Sequence, residues 1–159
     1  MQGGVSGKRH PELASLSRQE LELFLKNALT EHQLDSLLDI KVPLTIFTTR
    51  LAPLEALTKY LIDQRGLTLT RASGLLRRAP STISIALREA RKKLPDQLPT
   101  GSLFFMPAKE FATRRLSILE TVVFYLKSTG LSYSDIARFL DRDERTIWTI
   151  ARRGRDKHA

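Results

Sequence analysis

The 159-residue chain contains no cysteine. That absence excludes a disulfide scaffold, thiolate catalysis, and zinc or iron–sulfur sites built on Cys ligands. Histidine is scarce as well: His10, His32 and His158 are the only three, and they show no metal-ligand spacing. Three of the eight glycines fall within the first seven residues, so no phosphate-cradling glycine loop can be drawn. No apolar run approaches the ~20 residues of a membrane span, and the opening Met1-Gln2-Gly3-Gly4 carries no signal-peptide apolar region. The paired carboxylates Asp141 and Asp143 flank a turn, where capping accounts for them. The expectation is therefore a soluble cytoplasmic protein, not an enzyme, with no cofactor, no metal and no membrane partner.

Charge is abundant and unevenly placed. The chain holds 26 basic and 17 acidic side chains, a net charge of +9. Residues 1–40 carry 4 basic and 6 acidic side chains, whereas residues 41–159 carry 22 and 11. A basic body behind a mildly acidic head is the pattern of a polyanion-binding protein with a separate N-terminal element. A merely soluble surface is the plainer reading of the same charge.

The most informative feature is an internal repeat at a spacing of 64 to 65 residues. Val42-Pro43 through Arg50-Leu51 matches Met106-Pro107 through Arg115-Leu116, the second copy carrying one extra residue. Leu54-Glu55 then pairs with Leu119-Glu120, Tyr60-Leu61 with Tyr125-Leu126, and Gly66-Leu67 with Gly130-Leu131. Further on, Thr82-Ile83 pairs with Thr146-Ile147, Arg88 with Arg152, and Lys93 with Lys157. The expected organisation is two small domains, 42–94 and 106–158. Residues 95–105, with Pro95, Pro99 and Gly101, form the expected linker between them.

Each copy reads as three helices. Ser117-Ile118-Leu119-Glu120 is a capping box that opens the first helix of copy two; copy one uses Pro53 in the first turn and keeps Glu55. Gly66 and Gly130 stop these helices. Ser132 and Asp135 start a short second helix, and Asp143 caps a third after the turn Asp141-Arg142-Asp143. Copy one runs in parallel through the turn Arg77-Arg78-Ala79, with Pro80 opening its third helix. Ile147, Ile150 and Ala151 are expected to face Ile136 and Leu140. This is helix–turn–helix spacing, with Ala137 or Ser73 at the helix crossing.

On the stretches Leu131-Ser132-Tyr133-Ser134-Asp135-Ile136-Ala137 through Arg152-Arg153-Gly154-Arg155, and Ser81-Thr82-Ile83-Ser84 through Arg91-Lys92-Lys93-Leu94, the chain resembles the region-4 domain of sigma-70-type factors and the related LuxR-type domains. The resemblance covers roughly the last two-thirds of the chain. It implies that each third helix lies in the major groove of double-stranded DNA with its first turns at base edges. Base reading then falls to Ser81, Ser84 and Arg88 in copy one, and to Glu144, Arg145, Trp148, Thr149 and Arg152 in copy two; Pro80 and Ile85 share the outward face. Arg145 can donate two hydrogen bonds to guanine, and Thr149 can touch a thymine methyl. Phosphate contacts fall to Arg91, Lys92, Lys93, Arg153, Arg155 and Lys157, with Arg78 and Arg142 in the turns. The longer side chains of copy two suit sequence specificity; copy one suits electrostatic anchoring.

Simpler roles stand beside these. Arg91-Lys92-Lys93 at a helix end also complements the helix dipole. Trp148 reads either as a DNA contact or as packing between the two copies, which the rarity of exposed large apolar side chains favours. Tyr60 and Tyr125 read as core, and Glu55 and Glu120 as helix caps.

Ahead of the repeats, residues 1–16 are expected as a disordered tail and residues 17–40 as a helical hairpin. Ser17-Arg18-Gln19-Glu20 is a capping box, followed by Leu21, Phe24, Leu25, Ala28 and Leu29; Thr30-Glu31-His32-Gln33 caps a second helix bearing Leu34, Leu37 and Leu38. Packing on copy one is its default role, and homodimer formation is the alternative. The fold expected is all-α: two duplicated three-helix helix–turn–helix domains preceded by a helical hairpin. The function expected is that of a nucleoid-associated transcriptional regulator. An adaptor that binds RNA polymerase or another protein through the same domains is the runner-up. RNA is a weaker third partner, because only Trp148 offers an aromatic platform.

Overall fold

In the computed structural model, which describes residues 17–28 and 39–158, residues up to Asp39 and residues from Ile40 onward form two separate units. The first contributes helix α1, Arg18–Ala28. Its start is the capping box read from sequence: the Glu20 carboxylate accepts from the Ser17 N–H at 2.8 Å, and Ser17 Oγ accepts from the Glu20 N–H at 3.3 Å. The tail 1–16 and the second helix of the hairpin lie outside the described residues.

The second unit holds both copies of the repeat, each with the same order of elements. Copy one runs β1 (Lys41–Pro43), a 3-10 turn (Leu44–Thr48), α2 (Pro53–Lys59, prolonged by a π-turn to Gln64), α3 (Leu69–Leu76) and α4 (Pro80–Lys93). Copy two runs β2 (Phe105–Pro107), a 3-10 turn (Ala108–Ala112), α5 (Ile118–Ser128), α6 (Tyr133–Leu140) and α7 (Glu144–His158). The fold is all-α apart from the two three-residue strands, and among the described residues no helix is long and apolar enough to cross a membrane.

The local signals act where the sequence places them. Glu55 accepts from the Ala52 N–H at 3.0 Å, and Glu120 from the Ser117 N–H at 2.8 Å. Gly66 and Gly130 adopt φ of 73° and 94°, the left-handed region that lets a helix stop without a Cβ clash. Ser132 Oγ accepts from the Asp135 N–H at 3.1 Å, and Thr68 does the same for Arg71 at 3.2 Å.

What joins the copies is a reciprocal exchange. Strands β1 and β2 pair antiparallel, with Lys41 opposite Pro107, Val42 opposite Met106 and Pro43 opposite Phe105. Val42 and Met106 are equivalent in the repeat, so the pairing is symmetric about them. The Leu44 N–H donates to the Phe104 carbonyl at 3.0 Å, and the Ala108 N–H donates to the Ile40 carbonyl at 2.7 Å. Each 3-10 turn then packs on the second helix of the other copy: Leu44–Thr48 on α6, and Ala108–Ala112 on α3. Phe47 and Phe111, also equivalents, are both buried and meet with ring centroids 5.8 Å apart. Val42, Leu44, Ile46, Phe47, Met106 and Phe111 therefore belong to one continuous core with Leu76, Ile83, Leu140 and Ile147.

The segment between the copies is itself packed. Between residues 95 and 105, Leu98 is buried, and its N–H donates to Gln64 Oε1 at 2.8 Å while its carbonyl accepts from Gln64 Nε2 at 3.3 Å. Phe104 stacks edge-on against Phe139 at 5.2 Å, and Phe105 begins β2. Proline and glycine mark the segment as irregular, but both the N–H and the carbonyl of Leu98 find a side-chain partner in Gln64.

Candidate nucleic-acid interface

The third helices α4 and α7 follow three-residue turns that need no glycine. Arg77 and Asp141 take the left-handed conformation, with φ of 48° and 52°, and so end α3 and α6. In copy two, Asp143 Oδ1 accepts from the Arg145 N–H at 2.7 Å and caps α7. In copy one, Pro80 occupies the first helical position, where its missing N–H costs nothing. Ile83 and Ile147 point into the core and are fully buried. They fix the rotation of each helix and leave its other face to solvent.

That solvent face carries every residue read as base-contacting. Ser81, Ser84 and Arg88 are exposed on α4, and Glu144, Arg145, Trp148 and Arg152 are exposed on α7. Thr149 is half-buried, and its hydroxyl donates back to the Arg145 carbonyl at 2.9 Å. Trp148 is 46% exposed, which corrects the expectation that it packs between the copies. Its ring has a partner of its own: the Arg152 guanidinium lies 5.7 Å from the ring centroid, a cation–π contact that covers part of the indole. Ile85, at the position equivalent to Thr149, is 52% exposed.

The residues read as phosphate contacts divide into two groups. Lys92, Arg153 and Arg155 are exposed and form no ion pair among the described residues. Four of the others, Lys93, Lys157, Arg91 and Arg78, make contacts within the fold. Lys93 pairs with Glu55 at 2.7 Å, and its repeat equivalent Lys157 pairs with Glu120 at 2.8 Å, each tying the end of a third helix to the start of a first. Arg91 bonds Asp63 through two nitrogens, the closer at 2.6 Å. Arg78 donates to the carbonyls of Leu76 at 2.9 Å and Phe111 at 3.2 Å, bridging one copy to the other. Arg142, its equivalent, is half-buried, and its Nε has no partner among the described residues.

These contacts set the titration of the groups involved. The Arg91 guanidinium, aided by Lys59 and opposed by burial, holds the Asp63 carboxyl below its ordinary value. Burial works to raise Glu120, but the Lys157 ammonium and the Ser117 N–H outweigh it and hold the carboxyl below the usual range. Burial, and then the neighbouring charge of Arg114, lowers Arg78. Arg114 and Arg115 are exposed beside Arg78 and were passed over in the sequence reading. Their signal was available: one of them is the one-residue insertion that distinguishes copy two.

The arrangement amounts to two helices of similar construction, presented with exposed polar and cationic faces by one shared core. No family model, curated protein or solved structure matches this chain, so its functional reading rests on the residues themselves.

Proposed function

We propose that the protein is a sequence-specific double-stranded DNA-binding protein, a transcriptional regulator that uses two tandem helix–turn–helix units. The observation that carries this reading is the duplicated third helix. In both copies it is rotated by a buried isoleucine so that Ser81, Ser84 and Arg88, or Glu144, Arg145, Trp148 and Arg152, face solvent together. Residues 41–159 supply 22 basic against 11 acidic side chains, the balance that a phosphate backbone attracts.

The reciprocal pairing of β1 and β2 gives one chain the internal relation that two protomers have in a dimeric helix–turn–helix protein. Such dimers read half-sites about 34 Å apart. Because the copies differ on their reading faces, the site of this protein is not a palindrome. Copy two reads most of the sequence, and copy one anchors.

The test is selection of duplexes from a random library, followed by footprinting on the selected site. Enrichment of an asymmetric site protected over two adjacent major-groove segments supports the reading. No enrichment over input refutes it. The second reading, an adaptor that binds RNA polymerase or another protein, draws on the exposed apolar side chains Ile85 and Trp148 on the same faces. It predicts capture of purified polymerase without dependence on added duplex.

A further inference from the structure

A cleft of about 350 Å³, open to solvent, lies at the start of α5 and is lined by Arg78, Arg114, Arg115, Leu116, Ser117 and Lys157. Four of its six lining residues are cationic. Lys157 is committed to Glu120, and Arg78 to two carbonyls. Among the described residues neither Arg114 nor Arg115 uses its side chain in a hydrogen bond or ion pair, and Arg78 has no carboxylate partner. Arg78 is half-buried with the like charge of Arg114 beside it, a cost that an anion in the cleft relieves. Ser117, which lines the cleft, caps α5 by accepting from the Glu120 N–H, so the positive end of that helix starts at the cleft's edge.

The site is particular to copy two. Where copy two has Arg114-Arg115 followed by Leu116-Ser117, copy one has the single Arg50 followed by Leu51-Ala52. The Arg50 guanidinium is already spent on the Lys93 carbonyl. The insertion therefore gives copy two one more arginine than copy one has at the equivalent place.

We propose that this cleft is a phosphate-binding site, gripped by the guanidinium groups of Arg78, Arg114 and Arg115 above the first turn of α5. Two sources share that chemistry: a backbone phosphate of a bound duplex, and a free phosphate ester. Position favours the duplex. Arg78 stands two residues before Pro80, so the cleft flanks the first turn of α4, whereas Lys157 is ~20 Å along α7 from that helix's own first turn. The duplex assignment rests on the DNA-binding reading; the phosphate site does not.

The experiment uses the full chain. Inorganic phosphate is titrated at constant ionic strength against chloride while the amide signals of Ile118–Glu120 and the Arg Nε–H signals are followed by NMR. In parallel, the wild type, R115Q and the R114Q/R115Q pair are assayed for duplex binding across salt concentrations, with circular dichroism confirming the fold of these surface variants. The expected result is saturable phosphate shifts that R114Q/R115Q abolishes, with duplex affinity down about tenfold and the salt slope reduced by about two. Saturable shifts with unchanged duplex affinity keep the site and assign it to a free ester. Saturable shifts in a protein that binds no duplex keep the site and remove the DNA reading. Absence of shifts together with unchanged duplex binding in R114Q/R115Q overturns the proposal and leaves the DNA reading standing.

Discussion

Phe47 and Phe111, equivalent positions of the two copies, lie 5.8 Å apart between ring centroids with their planes at 49°. Each sits on a 3-10 turn that packs against the other copy's second helix. Aromatic pairs of this kind add about 0.5–1.5 kcal/mol beyond the area they bury. More important, the pair belongs to neither copy alone.

Phe111→Ala is therefore expected to cost about 3–5 kcal/mol, the range for truncating a buried phenylalanine. The loss should appear as one cooperative transition in urea, with fluorescence from Trp148 in copy two and far-UV dichroism moving together. Two separated transitions, one retaining half of the helix signal, would show that the copies fold independently.

Acid stability should depend on the Lys157–Glu120 pair. Glu120 is buried, and its carboxyl is held below its ordinary value of 4.5. A carboxyl depressed in the folded state stabilises fully above that ordinary value, and the stabilisation is lost as pH falls through the folded value. Lys157→Met is expected to cost about 1–3 kcal/mol at neutral pH, toward the lower end because the ammonium is half-exposed. The deficit should shrink as the pH falls below the carboxyl's lowered folded value, where it is protonated with or without the lysine. A deficit independent of pH would mean that the lysine acts through packing alone.

A close approach within copy two gives a third expectation. A Cβ on Gly154 would collide with the Phe124 ring; copy one has Ala90 and Lys59 at the equivalent positions. Gly154→Ala should destabilise by about 1–3 kcal/mol through overpacking, despite alanine's better helix propensity. Phe124→Leu in the same chain should recover part of the loss, with a coupling of at least about 0.5 kcal/mol in a double-mutant cycle. Stabilisation by Gly154→Ala alone would show that the ring moves aside freely.

The two kinds of exposed cation should separate in binding. Arg145→Ala is expected to relax preference at one base pair by about 1–3 kcal/mol, leaving other positions unchanged. Lys92→Gln should weaken binding to all duplexes alike and reduce the salt slope by about one. Equal effects of both changes on every sequence would remove the division between reading and anchoring.

The local grammar of this fold was legible because caps and stops act within four residues. Ser117 with Glu120, Ser132 with Asp135 and Asp143 with Arg145 all bond as their spacing implies. The repeat itself was legible from matched residues. Its interlocking was not, because β1 and β2 are three residues long, each contains a proline, and neither has room for a strand-like alternation. The partners of the cations were hidden for a related reason. Asp63 and Arg91 are 28 residues apart, and only the packing of α2 against α4 brings them together. Trp148 was misjudged because a general preference for burying tryptophan overlooked Arg152, one helical turn on, which shields its ring.

The measurement closest to the central claim is duplex binding by fluorescence anisotropy as a function of salt. The DNA-binding account predicts affinity that falls steeply, with a slope of log K against log salt of about −3 or steeper, as several phosphates exchange their counterions for protein cations. Binding that is undetectable at low salt, or detectable but flat across the series, would contradict it.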